Sequence, residues 1–190
     1  MSELTIDYIT SLDGFGSAEG WPGLWGMGGP EYFAFLEEDG KEDYTLLMGA
    51  TTYRLFASFA ETGEEEMAEL TARRKIVFSG TLREPLAWAG TTLVAGDAVE
   101  AVRAMKQDDV PLRTVGSPSL CRSLLEAGLV DRVRVVVFPV VNGATGDDRL
   151  YDGWPDVGLE LLTTRTLDGR LTLLEYAPTV LDGPPASGTA

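Results

Sequence analysis

Between Leu4 and Tyr176 the chain alternates strand-like and helix-like hydrophobic patterns, and this alternation limits the folds open to it more than any other feature. Strands are expected at Leu4 to Thr10, Tyr44 to Met48, Lys75 to Ser79, Thr91 to Val94, Leu112 to Val115 and Arg132 to Phe138. Helices are expected at Pro30 to Glu38, Thr51 to Phe59, Glu65 to Arg73, Ala98 to Lys106 and Pro118 to Ala127. Strands separated by helices pair in parallel, because a parallel neighbour needs a long crossover. Two further strands, Leu159 to Thr166 and Arg170 to Tyr176, have only Leu167-Asp168-Gly169 between them and read as an antiparallel hairpin. The fold class is therefore α/β, a mixed, mainly parallel sheet flanked by helices. Two helices carry end signals. Asp97-Ala98-Val99-Glu100 has capping-box spacing, while Ser117 can cap, Pro118 suits the first helical position and Gly128 suits a left-handed stop.

Two segments resist assignment. From Gly14 to Gly29 the chain is glycine-rich with Trp21, Trp25 and Met27 interspersed, which describes a long loop, either a lid or a loop pinned by its tryptophans. The C-terminal tail, 179–190, is Gly/Pro/Ser-rich from Leu181 onward and is expected to be disordered. Residues 1–178 then form one domain, since 190 residues at 44% hydrophobic content supply one sizeable core.

Composition removes several chemistries. With no histidine, Ser-His and Cys-His nucleophilic pairs are ruled out, and proton transfer falls to a carboxylate, a tyrosine, a lysine or water. The single Cys121 excludes an internal disulfide and reads as a small buried residue on a helix. No metal site is expected. A net charge of −15 argues against nucleic acid or an anionic membrane as partner and leaves a small molecule. Neither a leader-like start nor a run of about 18 apolar residues is present, so a cytoplasmic protein is expected.

One junction points to a ligand. In Tyr44-Thr45-Leu46-Leu47-Met48-Gly49-Ala50-Thr51-Thr52-Tyr53 an apolar run breaks at a glycine and restarts as a threonine-led helix. The turn leaves unpaired N–H groups and the positive end of the helix dipole facing outward, which suits a phosphate.

Ser11-Leu12-Asp13-Gly14, Leu47 to Tyr53, Lys75 to Ser79, Val115-Gly116-Ser117-Pro118-Ser119-Leu120 and Gly128-Leu129-Val130-Asp131 leading to Asn142-Gly143 occur in this order. Together they make the chain resemble the RibD C-terminal reductase domain of riboflavin-biosynthesis deaminase/reductases, which shares the dihydrofolate reductase fold. The resemblance implies an NAD(P)H-dependent reductase of a small heterocyclic or sugar-amine substrate, similar to 5-amino-6-(5-phosphoribosylamino)uracil reductase, working as a homodimer. It implies cofactor contacts from Trp25, Gly49, Ala50, Thr51, Ser79, Gly116, Ser117 and Leu120, and substrate contacts from Ser11, Trp21 and Tyr53. Glu31 and Asp13 are the candidate proton donors, each with a plainer reading as a dipole-stabilising or turn-forming carboxylate. The resemblance implies NADPH, with NADH as the alternative. Ala50 replaces the arginine that holds the 2′-phosphate in dihydrofolate reductases, so that anchor would have to come from Arg73, Arg74, Lys75 or Arg83. Ser117 replaces the second glycine of the family's pair. The zinc deaminase fused to this domain in riboflavin enzymes has no counterpart here. Dihydrofolate reduction and a noncatalytic ligand-binding module are the alternative functions.

Overall fold

The computed structural model describes residues 1–20, 23–62 and 66–183. In chain order the strands and helices are β1 (Leu4–Ser11), β2 (Phe15–Ala18), α1 (Pro30–Asp39), β3 (Thr45–Gly49), α2 (Ala50–Thr62), α3 (Glu66–Ala72), β4 (Lys75–Phe78) and β5 (Thr91–Val94). They continue with α4 (Ala98–Met105), β6 (Leu112–Thr114), α5 (Pro118–Glu126), β7 (Arg132–Phe138), β8 (Gly146–Arg149), β9 (Val157–Leu167) and β10 (Leu171–Val180). An eight-stranded sheet runs in the order β5-β4-β3-β6-β1-β7-β10-β9. The pairings from β5 through β7 are parallel and the last two antiparallel, as the alternation requires.

Strand periodicity sorts the core onto two faces. Leu47, Ile76, Val133 and Val135 pack under α4 and α5 with Val102, Cys121, Leu124 and Leu125. Leu46, Met48 and Val77 point the other way, under Tyr53 and Ala57 of α2 and Met67 of α3. Further along that second face, Tyr32 of α1 and Trp25 cover Val136, Phe138, Leu171 and Leu173. Beneath the C-terminal end of α1 the filling turns ionic. Arg134 pairs with Asp7 and Asp39, and Arg113 with Asp39 and Glu42, beside a polar cavity of about 370 Å³.

Several sequence expectations need correction. The segment from Gly14 to Gly29 is not one loop, for Phe15–Ala18 forms β2 and pairs antiparallel with β8. The hairpin is longer than its apolar run, and β10 reaches Val180, so residues 179 and 180 belong to the sheet and not to a tail. Ser117 does not cap α5. Its φ of 61° is left-handed, which turns its hydroxyl away from its own helix. Asp97 does cap α4, accepting from the N–H groups of Val99 and Glu100 at 2.8 and 3.2 Å. Pro184 to Ala190, the rest of the expected tail, lie outside the described residues.

Candidate active site

The connections place one crevice in this sheet. From β3 the chain moves outward to β4 and β5 through α2 and α3, whereas from β6 it crosses β1 to reach β7 through α5 on the opposite face. Where crossovers diverge in an open sheet, a cleft opens at the carboxyl ends of the strands, and ligands of α/β proteins bind there. Here that place lies between β3 and β6. The N-termini of α2 and α5 begin immediately beyond those two strands, at Ala50 and Pro118.

A small polar knot ties the two helix starts together. Ser117 Oγ accepts from the Gly49 N–H at 2.8 Å and donates to Thr52 Oγ1 at 2.9 Å. Gly116, with φ of 51°, is pressed so closely onto the α2 start that a Cβ would lie 3.0 Å from Thr52 Oγ1. Two consecutive left-handed residues, one of them serine, store local strain of about 1 kcal/mol or more, and strain of this kind collects at functional sites. Gly49 is different. A Cβ there would meet nothing nearer than Ser117 Oγ at 3.7 Å, so packing within the chain does not require glycine. The vacated space faces the open first turns of both helices. Thr51 is exposed in the first turn of α2, and the first intrahelical bond of α5 is Cys121 N–H to Ser117 O, which leaves the Ser119 and Leu120 N–H groups for a ligand. A dinucleotide's phosphates fit this arrangement.

A second cluster sits beyond β1 and β7. Trp25 is 6% exposed, packs its ring 5.2 Å from Phe138, and donates its indole N–H to Asn142 Oδ1 at 3.1 Å. The loop is pinned at this residue. Asp13 joins the same framework: its carboxylate accepts from Ser11 Oγ at 2.6 Å, from Asn142 N–H at 3.1 Å and from Gly143 N–H at 2.9 Å. The Ser11 hydroxyl and the Gly143 and Asn142 N–H groups hold its pKa at about 2. It has no proton to give near neutrality, and its turn-forming role is the one seen.

The sign of that shift defines a measurable dependence on pH. Against an ordinary value of 3.8, the Asp13 anchor contributes stability that is complete above pH 4 and disappears as pH falls through about 2. Trp25 fluorescence, followed on acidification, should report the release of the Asn142 turn. Asp13→Asn should show that released signal already at neutral pH, and an unchanged spectrum would mean the carboxylate does not hold the turn.

Glu31 lies at the start of α1 and is engaged across the fold. Asp168, in the β9–β10 turn, accepts from the N–H groups of Glu31 and Tyr32 at 2.9 and 3.1 Å, while Glu31 Oε2 accepts from the Asp168 N–H. This is a capping box assembled from residues 137 apart in sequence. Gly29 is required by it, because a Cβ there would lie 2.4 Å from Asp168 Cγ.

Other candidates fall away from the cleft. Tyr53 is buried, with its hydroxyl accepting from the Trp88 N–H at 3.3 Å, so its side chain is core and not a substrate contact. The Leu120 side chain is also core, and only its N–H can face a cofactor. The Ser11 hydroxyl is buried and taken up by Asp13 and the Phe15 N–H. Ser79 Oγ closes a local turn by accepting from Thr81 and Leu82 N–H groups at 3.1 and 3.0 Å. Arg73 and Arg74 precede β4 and Lys75 opens it, so all three lie at the opposite end of the strands from the cleft. Arg73 donates to the Glu42 and Gly40 carbonyls there, and Lys75 Nζ donates to Leu70, Thr71 and Arg73 carbonyls at 2.9, 2.8 and 2.7 Å. Of the four basic candidates only Arg83 follows β4. Trp21 lies outside the described residues. Sequence reading missed Thr52, Asn142 and Asp168, although each stands beside or within a motif it singled out.

Among the described residues no group of three His, Cys, Asp or Glu could hold a metal, and no helix is long and apolar enough to cross a membrane. A mainly parallel sheet with two helix starts meeting over one crevice defines an α/β protein with a candidate ligand site at the β3/β6 switch. The RibD C-terminal domain model matches residues 2–173, and the chain belongs to that family. The chain is similar to YyaP of Bacillus subtilis (strain 168), itself uncharacterized, with 25% identity over 182 residues covering 91% of this chain and 93% of that one. Among solved structures it is similar to a protein assigned to riboflavin biosynthesis from Shewanella sp. PV-4, at TM-score 0.68 and 18% identity over 93% of this chain and 99% of that one. It is also similar to a Thermotoga maritima diaminohydroxyphosphoribosylaminopyrimidine deaminase/5-amino-6-(5-phosphoribosylamino)uracil reductase, at TM-score 0.64 and 16% identity over 94% of this chain and 57% of that one.

Proposed function

We propose that the chain is an NAD(P)H-dependent reductase of a small heterocyclic or sugar-amine substrate, similar in reaction to the reductase named for the Thermotoga relative. The observation that carries this reading is the Gly49–Ser117–Thr52 knot, which fixes two helix N-termini over a glycine whose missing side chain the protein itself does not fill. Gly49, Ala50, Thr51, Gly116, Ser117 and the Leu120 N–H would hold the cofactor's phosphates. A bound reduced nicotinamide would supply the hydride. The chain's own part is to orient and to keep water out, with Trp25 and Phe138 forming the apolar floor at the β7 end. Asp13 stays ionised, so Glu31 or water is left to move a proton. Glu31 uses Oε2 on Asp168, and among the described residues its other oxygen has no partner.

Calorimetric titration with NADPH and NADH tests the reading directly, and lack of binding by both would end it. We expect a preference for NADPH of only about tenfold, since one exposed charge-assisted contact contributes little. That preference should fall at high salt and vanish in Arg83→Ala. A ratio indifferent to Arg83 would put the adenosine end elsewhere.

We also propose a homodimer paired through β9. This edge strand of 11 residues exposes Leu159, Leu161 and Leu162 at 47, 54 and 46%. An uncovered apolar edge is a template for a second strand, and a two-fold axis makes the contact self-complementary. Leu161→Lys should halve the mass measured by light scattering. A monomeric wild type would contradict the proposal.

A further inference from the structure

Resting on the reductase reading, we infer that the substrate itself carries no phosphate and is a neutral or cationic heterocycle. The two halves of the C-terminal edge differ in character. The cofactor half presents helix N-termini, which favour anions. The other half is built from β1, β2, the turn around Trp25, α1 and the segment after β7. The first 40 residues, which supply most of it, contain no lysine or arginine, and the first cation in the chain is Lys41.

What this half does present is acidic and apolar. Asp13 is ionised at any physiological pH, and Glu31 and Asp168 flank the start of α1. Leu12 and Val141 both stand at this end, where the Leu12 N–H donates to Val140 O at 2.8 Å, and are 68 and 64% exposed. Large apolar side chains left this open beside a cleft suit a flat ring. Arg134 and Arg165 lie against Phe35, further along α1, and the arginines of the flanking segments are Arg149 and Arg170. Arg149 lies over the Phe15 ring at 4.9 Å and follows Asp147 and Asp148, and Arg170 shares its turn with Asp168. Neither brings net positive charge. A phosphate dianion entering here would meet fixed carboxylates within a chain of net charge −15, and the one helix start in this half, that of α1, already has its Glu31 and Tyr32 N–H groups on the Asp168 carboxylate. The expected substrate therefore departs from the phosphoribosyl compound named for the Thermotoga relative.

The test uses ribose 5-phosphate as probe, followed by phosphorus NMR line broadening on the whole protein with and without saturating NADP⁺. NADPH binding, read separately by tryptophan fluorescence, decides the reductase reading on its own. With the cofactor site filled by NADP⁺, we expect no saturable ribose 5-phosphate binding to wild type with a Kd below about 1 mM, and at least tenfold tighter binding in Val141→Arg. Leu12→Arg serves the same purpose should the first variant express poorly. Saturable binding to NADP⁺-saturated wild type below that limit would overturn the inference. So would failure of both arginine variants to gain binding, because Leu12 and Val141 would then lie outside the substrate's reach.

Discussion

Asp39→Ala is expected to lower the melting temperature by about 10 °C, corresponding to roughly 3 kcal/mol in a domain of this size. Asp39 bridges Arg134 and Arg113, and the three side chains are only 12, 6 and 10% exposed. Removing the carboxylate leaves two guanidiniums under α1 with less than their full complement of partners, and unpaired buried charge costs more than a lost surface pair. Burial pushes the Asp39 carboxyl up, but the Arg134 and Arg113 guanidiniums outweigh it and hold the pKa below the usual carboxylate range. The bridge's stability is therefore present above the ordinary value of 3.8 and is lost as pH falls. Asp39→Asn should be milder because it still accepts hydrogen bonds. Thermal unfolding of both variants at pH 7 checks this, and a loss below about 1 kcal/mol for the alanine would show that Asp7 and Glu42 suffice alone.

The second large effect is on ligand affinity. Gly49→Val should weaken NADPH by about a hundredfold, or roughly 2.7 kcal/mol, while changing the melting temperature little. Outside its chain neighbours, a Cβ at this position meets only Ser117, at 3.7 Å or beyond, so a larger side chain here is expected to take up the space proposed for the cofactor. Gly116→Val supplies the contrast. Its left-handed φ and the 3.0 Å approach to Thr52 should cost stability as well as affinity. Equal NADPH affinity for wild type and Gly49→Val, measured by calorimetry, would remove the phosphates from this turn.

How far the chain could be read in advance depended on whether local pattern or distant geometry set each feature. Thr91–Val94 and Arg132–Phe138 appear with the expected ends because β-branched runs bounded by polar residues leave little choice. α5 stops as expected, with the Gly128 φ at 63°. β2 and β8 were illegible: Phe-Gly-Ser-Ala and Gly-Asp-Asp-Arg carry no strand pattern, and only their mutual pairing makes them strands. Ser117 looked like a cap because residue type reports hydrogen-bonding capacity but not φ. The Asp168 cap on α1 joins two segments that nothing local connects. Arg73, Arg74, Lys75 and Arg83 were equal candidates in the sequence, and the bounds of β4 separate them, since residues at the start of a parallel strand and those following it lie at opposite ends.

Amide hydrogen exchange with and without NADPH reads whether the cofactor lies across the β3/β6 switch. Exchange should slow at Gly49, Ala50, Thr51 and Thr52 and at Ser117, Ser119 and Leu120, with the amides of Glu3, Asp39 and Glu42 around the polar cavity unchanged. No protection anywhere, or protection confined to the polar cavity lined by Arg113, Arg132 and Arg134, would contradict it.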